Sequence, residues 1–248
     1  MFEKEGTLLE RTFRVLAPVF LSGWALAGCG GGESDNTEAD SYVPRIDPAA
    51  FTTTVDNSYF PLAPGMRWVY EGPTDEGLER VLVEVTSSTR RVMGVDTVVV
   101  RDTASIDGKV VEDTYDWLAQ DREGNVWYFG EDTKKFEDGG VSTAGSWEAG
   151  VDGAQPGIVM KAKPKVGDRY KQEYYKGDAE DTAEVLSVSE RVSVPFGAFD
   201  AVIQTKDFTP LEPDVVENKF YAPGVGPILT TTVKGGKDRI ELIEMTRP

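Results

Sequence analysis

The chain has no histidine and only one cysteine, Cys29, among its 248 residues. Without imidazole there is no Ser-His-Asp or Cys-His catalytic machinery and no histidine metal ligand. With a single thiol there is no intrachain disulfide, no CxxC redox pair and no thiolate zinc cage. Basic side chains are also scarce, 26 against 43 acidic ones, for a net charge of −17. Phosphate neutralisation needs a basic face, so nucleic acid is excluded as a partner. The uncharged run at 15–28 is 14 residues long. A spanning helix needs about 20, but this length suits the core of a signal peptide.

The flanks of that run give it meaning. Lys4, Arg11 and Arg14 precede it, and it ends in Leu26-Ala27-Gly28-Cys29, followed by Gly30, Gly31 and Gly32. This resembles the lipobox of bacterial lipoproteins. The resemblance implies cleavage after Gly28 and diacylation (a palmitate-type anchor) of Cys29. Buried acyl methylenes supply about 0.8 kcal/mol each of membrane affinity. Removing residues 1–28 takes away three basic and three acidic side chains, so the mature chain keeps −17. The polar stretch GGGESDNTEAD, residues 30–40, has no apolar residues to bury and reads as a tether. The expected organisation is a signal peptide over 1–28, an acylated cysteine and flexible tether over 29–47, and one β-rich domain over 48–248. No acidic residue at position 30 or 31 argues for inner-membrane retention. In a two-membrane cell the protein is therefore expected on the outer membrane facing the periplasm, and in a one-membrane cell on the outer face of the cytoplasmic membrane.

Beyond the tether the hydrophobic period is two. Val81, Val83 and Val85 alternate with Glu84 and Thr86, as in a half-buried strand. Similar runs occur at 97–101, 184–194, 199–205, 215–221, 228–233 and 239–245, separated by turn signals such as Asp107-Gly108, Pro195-Phe196-Gly197 and Gly235-Gly236. No segment past the signal sustains a capped helical pattern. The predicted fold is all-β: an antiparallel meander of about a dozen strands, curled into a barrel or half-barrel to limit exposed edges, behind an N-terminal signal helix and the flexible tether. No internal repeat is present. The segment Asp121-Arg122-Glu123-Gly124-Asn125-Val126-Trp127 resembles the turn of propeller repeats in sensor proteins. It occurs once, so it predicts a lone hairpin pairing 112–120 with 126–131. A five-residue loop would place Ala119 opposite Trp127 and Trp117 opposite Phe129. A two-residue turn would instead set Asp116 opposite Glu131, and both registers remain open.

The segments Tyr59-Phe60-Pro61-Leu62-Ala63-Pro64-Gly65-Met66-Arg67-Trp68-Val69-Tyr70, Val194-Pro195-Phe196-Gly197-Ala198-Phe199 and Tyr221-Ala222-Pro223-Gly224-Val225-Gly226 resemble the opening strand and closing half of a family of secreted bacterial lipoproteins without an assigned activity. The resemblance implies fold and location and brings no catalytic residues. A looser similarity to curved-sheet lipoprotein carriers is one of fold alone.

With imidazole and thiol absent, carboxylates are the main catalytic groups left. Glu112, Asp113, Asp116, Glu131, Asp132 and Glu148 surround Trp117, Trp127 and Trp147 in the sequence, and paired carboxylates beside sugar-stacking indoles are the apparatus of a glycan hydrolase. Asp121, Glu123 and Asn125 have the alternate spacing of the first EF-hand ligands, but Val126 stands where that loop needs glycine. The loop 139–157 has six glycines around Trp147 and Glu148. Candidate ligand-binding residues are Trp117, Trp127, Phe129, Glu131 and Trp147; no metal ligand, catalytic residue or cofactor is assigned. The favoured reading is a membrane-anchored, non-catalytic module that binds an apolar ligand or docks an envelope protein. The alternative is a carboxylate-dependent glycan hydrolase.

Overall fold

A computed structural model describes residues 42–137 and 139–248. Cys29, its signal peptide and most of the expected tether lie outside the described residues. Antiparallel strands make up nearly all of the remainder. A 3-10 turn at Pro48–Ala50 leads to β1 (Phe51–Thr52). Then come β2 (Arg67–Thr74), β3 (Gly77–Val92), β4 (Val95–Ile106), β5 (Lys109–Asp121), β6 (Val126–Glu137), β7 (Gly140–Ser142), β8 (Trp147–Glu148), β9 (Gln155–Met160), β10 (Arg169–Lys171) and β11 (Glu173–Tyr174). The long strands β12 (Thr182–Val194) and β13 (Gly197–Phe208) follow, then β14 (Val216–Ala222), β15 (Gly226–Lys234) and β16 (Arg239–Thr246). Sixteen strands replace the expected dozen among the described residues. The surplus comes from segments of two or three residues, β1, β7, β8, β10 and β11, which are too short to show a period in sequence.

The strands form one sheet, ordered β10-β12-β13-β14-β15-β16-β2-β3-β4-β5-β6-β9-β11. Its edge strands, β10 and β11, are separated in the chain by Gln172 alone, so the backbone itself carries the sheet across the seam and nearly closes a barrel. The crossing is tight. A Cβ on Gly157 of β9 would collide with the Gln172 backbone, a close approach that only glycine allows.

Closure sorts the residues. Val81, Val83, Trp68, Tyr70, Leu118, Tyr128, Ile203, Ile228, Ile240 and Leu242 fill the buried core. Trp68 Nε1 donates to the Val225 carbonyl at 2.8 Å and Tyr70 Oη to the Pro227 carbonyl at 3.0 Å, pinning β2 to the start of β15 and the turn before it. A buried aromatic of this kind contributes about 1.5–3 kcal/mol through its apolar body once its polar tip is bonded.

The β5–β6 hairpin uses both expected registers. Near the turn Ala119 faces Trp127, and beyond a bulge Asp116 faces Glu131. Gly130 forms the bulge at φ +127°, with the Trp147 carbonyl of β8 where a Cβ would stand. We expect Gly130→Ala to lower stability by about 2–3 kcal/mol, read from chemical denaturation, because it adds both strain and a collision.

Candidate functional site

Register assigns the faces. Val85, Val100, Asp116, Glu131 and Trp147 are opposite one another across β3, β4, β5, β6 and β8, and so share the inner face. The next inner row is Val83, Asp102, Thr114 and Thr133, and the one beyond it holds Val81, Ala104, Glu112 and Lys135. Val99 and Trp117 share the outer face, as do Ala119, Trp127 and Ile158. The five predicted residues therefore divide. Glu131 and Trp147 point inward, while Trp117, Trp127 and Phe129 belong to the outer face.

On that outer face the Arg90 guanidinium lies 3.8 Å above the Trp117 ring and pairs with Glu148. Trp127 Nε1 donates to Asp121 at 2.7 Å, and the same carboxylate accepts from the Asn125 backbone N–H and side-chain amide, locking the turn. The Asp121–Asn125 spacing thus organises a hairpin. Among the described residues no group of three or more acidic, histidine or cysteine side chains is placed to hold a metal ion. Phe51 of β1 stands edge-on to both Trp127 and Phe129, so the N-terminal segment covers this patch.

Inside, Tyr128 Oη lies 2.7 Å from Asp116 Oδ1 and 2.6 Å from Glu131 Oε2. A phenol has one proton and can donate to only one of them. The two carboxyls therefore converge on one hydroxyl, which bonds to one of them at a time. Trp147 packs edge-on against Tyr128 at 5.4 Å. Two carboxyls bridged by one phenol are close enough for glycosidic acid–base chemistry. However, Asp116 and Glu131 are each only 1% exposed, and no saccharide reaches them.

Across the barrel is a second polar group that the sequence reading missed. Lys219, 2% exposed, lies 3.5 Å from Asp207 and opposite Thr205 and Thr230. Asp207 also accepts from Thr205 at 2.5 Å and from Gln172 at 3.3 Å. Lys219 and Asp207, with Asp181, Thr209, Glu212 and Glu217, line a cavity of about 10 Å³, room for one water molecule. Burial pushes the Lys219 ammonium down, but Asp207, Glu217 and Asp181 outweigh it and hold it above its ordinary value. Burial pushes Asp181 well above the usual carboxylate range, against the lowering effects of Lys219 and a Thr209 hydrogen bond; Asp207 and Glu217 add to the rise. The signal was available: Glu217, Lys219 and Tyr221 alternate along one strand face, which buried Tyr221 marks as inner.

A raised carboxyl favours the folded state while it is protonated. Its contribution is complete below the ordinary aspartate value of 3.8 and is lost as pH rises through the higher folded value. Wild type should therefore lose thermal stability relative to Asp181→Asn as pH rises above the ordinary aspartate value of 3.8, and scanning calorimetry of both at each pH checks the sign. Tyr128→Phe removes the hydroxyl between Asp116 and Glu131 and should destabilise by about 1–3 kcal/mol in urea titrations.

No family model matches the chain. No curated protein matches it either. Among solved structures it is similar to a Bacteroides fragilis protein described as exported and as having a YmcC-like fold, with 16% identity and a TM-score of 0.45 over 76% of this chain and 99% of that one. It is also similar to a Parabacteroides distasonis protein described as a lipoprotein, with 14% identity and a TM-score of 0.42 over 76% of this chain and 98% of that one.

Proposed function

We propose that this chain is a lipid-anchored, extracytoplasmic protein that performs no chemistry and acts through the outer surface of its barrel. The observation that carries the reading is the dense packing of the interior among the described residues. Inner positions hold Trp68, Tyr70, Leu118, Tyr128, Met160 and the two polar groups, and the cavity beside Lys219 admits about one water molecule. Carriage of an acyl chain needs several hundred cubic ångströms of apolar space. Catalysis by the Asp116–Glu131 pair needs an opening that their burial denies. Docking at the envelope needs neither.

The lipobox residues Leu26 to Cys29 support the location. Among the described residues no helix is long and apolar enough to cross a membrane, so an anchor at Cys29 would provide the attachment. Acyl chains there would hold an acidic domain at a surface whose anionic head groups repel it.

Two measurements test this. Cys29→Ala should move the protein from the membrane fraction to the soluble exported fraction, and unchanged fractionation would contradict anchoring. Native mass spectrometry of the protein from its own host should show no retained lipid within the barrel; a lipid that survives removal of the anchor would restore the carrier reading.

A further inference from the structure

The outer surface contains a ligand-sized cleft produced by a change of strand partner. β4 pairs with β5 as far as Val98 opposite Leu118. Beyond that point β1 takes its place, with Thr52 opposite Gln120 and Phe51 opposite Asp121. The tip of the β3–β4 hairpin and the N-terminal segment together border a cleft of about 460 Å³, within the range of small-molecule sites. Pro48 and Phe51 give it apolar surface, Thr52 and Thr53 give it hydroxyls, and Arg91 and Asp96 give it charge.

The walls are held before any ligand arrives. Met93 and Gly94 form a two-residue turn with both φ angles positive, +49° and +80°. Pro48 packs against this turn so closely that a Cβ on Gly94 would lie 3.2 Å from its ring. Arg122 Nη2 donates to the Ala49 carbonyl at 2.7 Å. Phe51 is gripped edge-on by Trp127 and Phe129 at 6.0 and 5.4 Å. Such preorganisation reduces the ordering entropy a ligand must overcome.

The polar groups define the ligand. Arg91 donates through Nε and Nη2 to the two oxygens of Asp96 at 2.8 and 3.0 Å, a planar bidentate pair of zero net charge. The two side chains are 69% and 56% exposed, so the remaining N–H groups and carboxylate lone pairs face solvent. Thr52 Oγ1 accepts from the Thr54 N–H at 3.1 Å, which leaves its own proton to donate. Donors and acceptors thus alternate around the cleft beside a proline and a phenyl ring. An anion is disfavoured by the chain's −17 charge. A cation meets the Arg91 guanidinium. The complement that remains is an uncharged molecule with adjacent hydroxyls and a C–H face. We propose that this cleft binds a neutral saccharide. The proposal deepens the reading of the outer surface as the working surface and does not depend on the anchor.

The test is isothermal titration of the full-length chain in a zwitterionic, sugar-free detergent with glucose, N-acetylglucosamine and maltotriose. Glucuronate and glucosamine serve as charged counterparts. At least one neutral sugar should bind saturably with a Kd of about 1 mM or tighter. Arg91→Ala and Asp96→Asn, both at exposed positions and checked for folding by circular dichroism, should each weaken it about tenfold. Saturable binding of no neutral sugar, tighter binding of glucuronate than of glucose, or unchanged affinity in both variants would overturn the proposal. None of these results alters Cys29-dependent fractionation, so a failed cleft and a failed anchor remain distinguishable.

Discussion

Nearly closing the sheet on itself at Gln172 is the constraint on which the rest of the molecule depends. An open sheet of this size would have one face in water, and its acidic residues would be hydrated there. Bringing β10 and β11 together across a single residue turns that face inward. Most side chains on the inner register are then desolvated, whatever their chemistry. The close passage of the Gln172 backbone against Gly157 shows how little slack the seam allows.

The interior of this barrel is therefore a problem in charge as well as packing. Asp116, Glu131, Asp181, Asp207 and Glu217 are all buried, with Lys219 among the last three. Isolated ionised carboxylates would be very unfavourable in such a setting, so the structure neutralises or bonds them. On one side a single phenol joins Asp116 to Glu131. On the other, Lys219 offsets Asp207, while Asp181 is held toward its neutral form. Both devices are local and leave no opening for a substrate. The acidic residues that suggested chemistry are thus built into the barrel interior.

On the outer face the aromatics have been reassigned in the same way. Trp117 underlies Arg90, and Trp127 and Phe129 support Phe51, which lines the cleft against Arg91 and Asp96. The aromatic residues of the hairpin thus act as a foundation for a neighbouring surface. The strand switch from β4 to β1 beside β5 creates that surface, because two strands that part company leave a gap neither can fill.

Much of the architecture is legible from residue order. Alternation at Val81, Val83 and Val85 marks β3, and the run at 239–245 differs by one residue from β16. Period two is a property of the backbone and survives whatever packs against it. The lipobox at Leu26 to Cys29 is likewise a local pattern. What alternation does not say is which face is inner. Along β5 the residues Glu112, Thr114 and Asp116 alternate with Asp113, Tyr115 and Trp117, and hydrophobicity alone favours the aromatic face as the buried one. The structure puts the polar set inside. Acceptable partners for it, Tyr128, Glu131, Thr133 and Lys135, come from another strand, through a register that the Gly130 bulge shifts midway. Period and punctuation were thus determined along the chain. The inward face, the phenol bridging two carboxyls and the cleft were decided only when distant strands met, because each depends on what stands opposite in space.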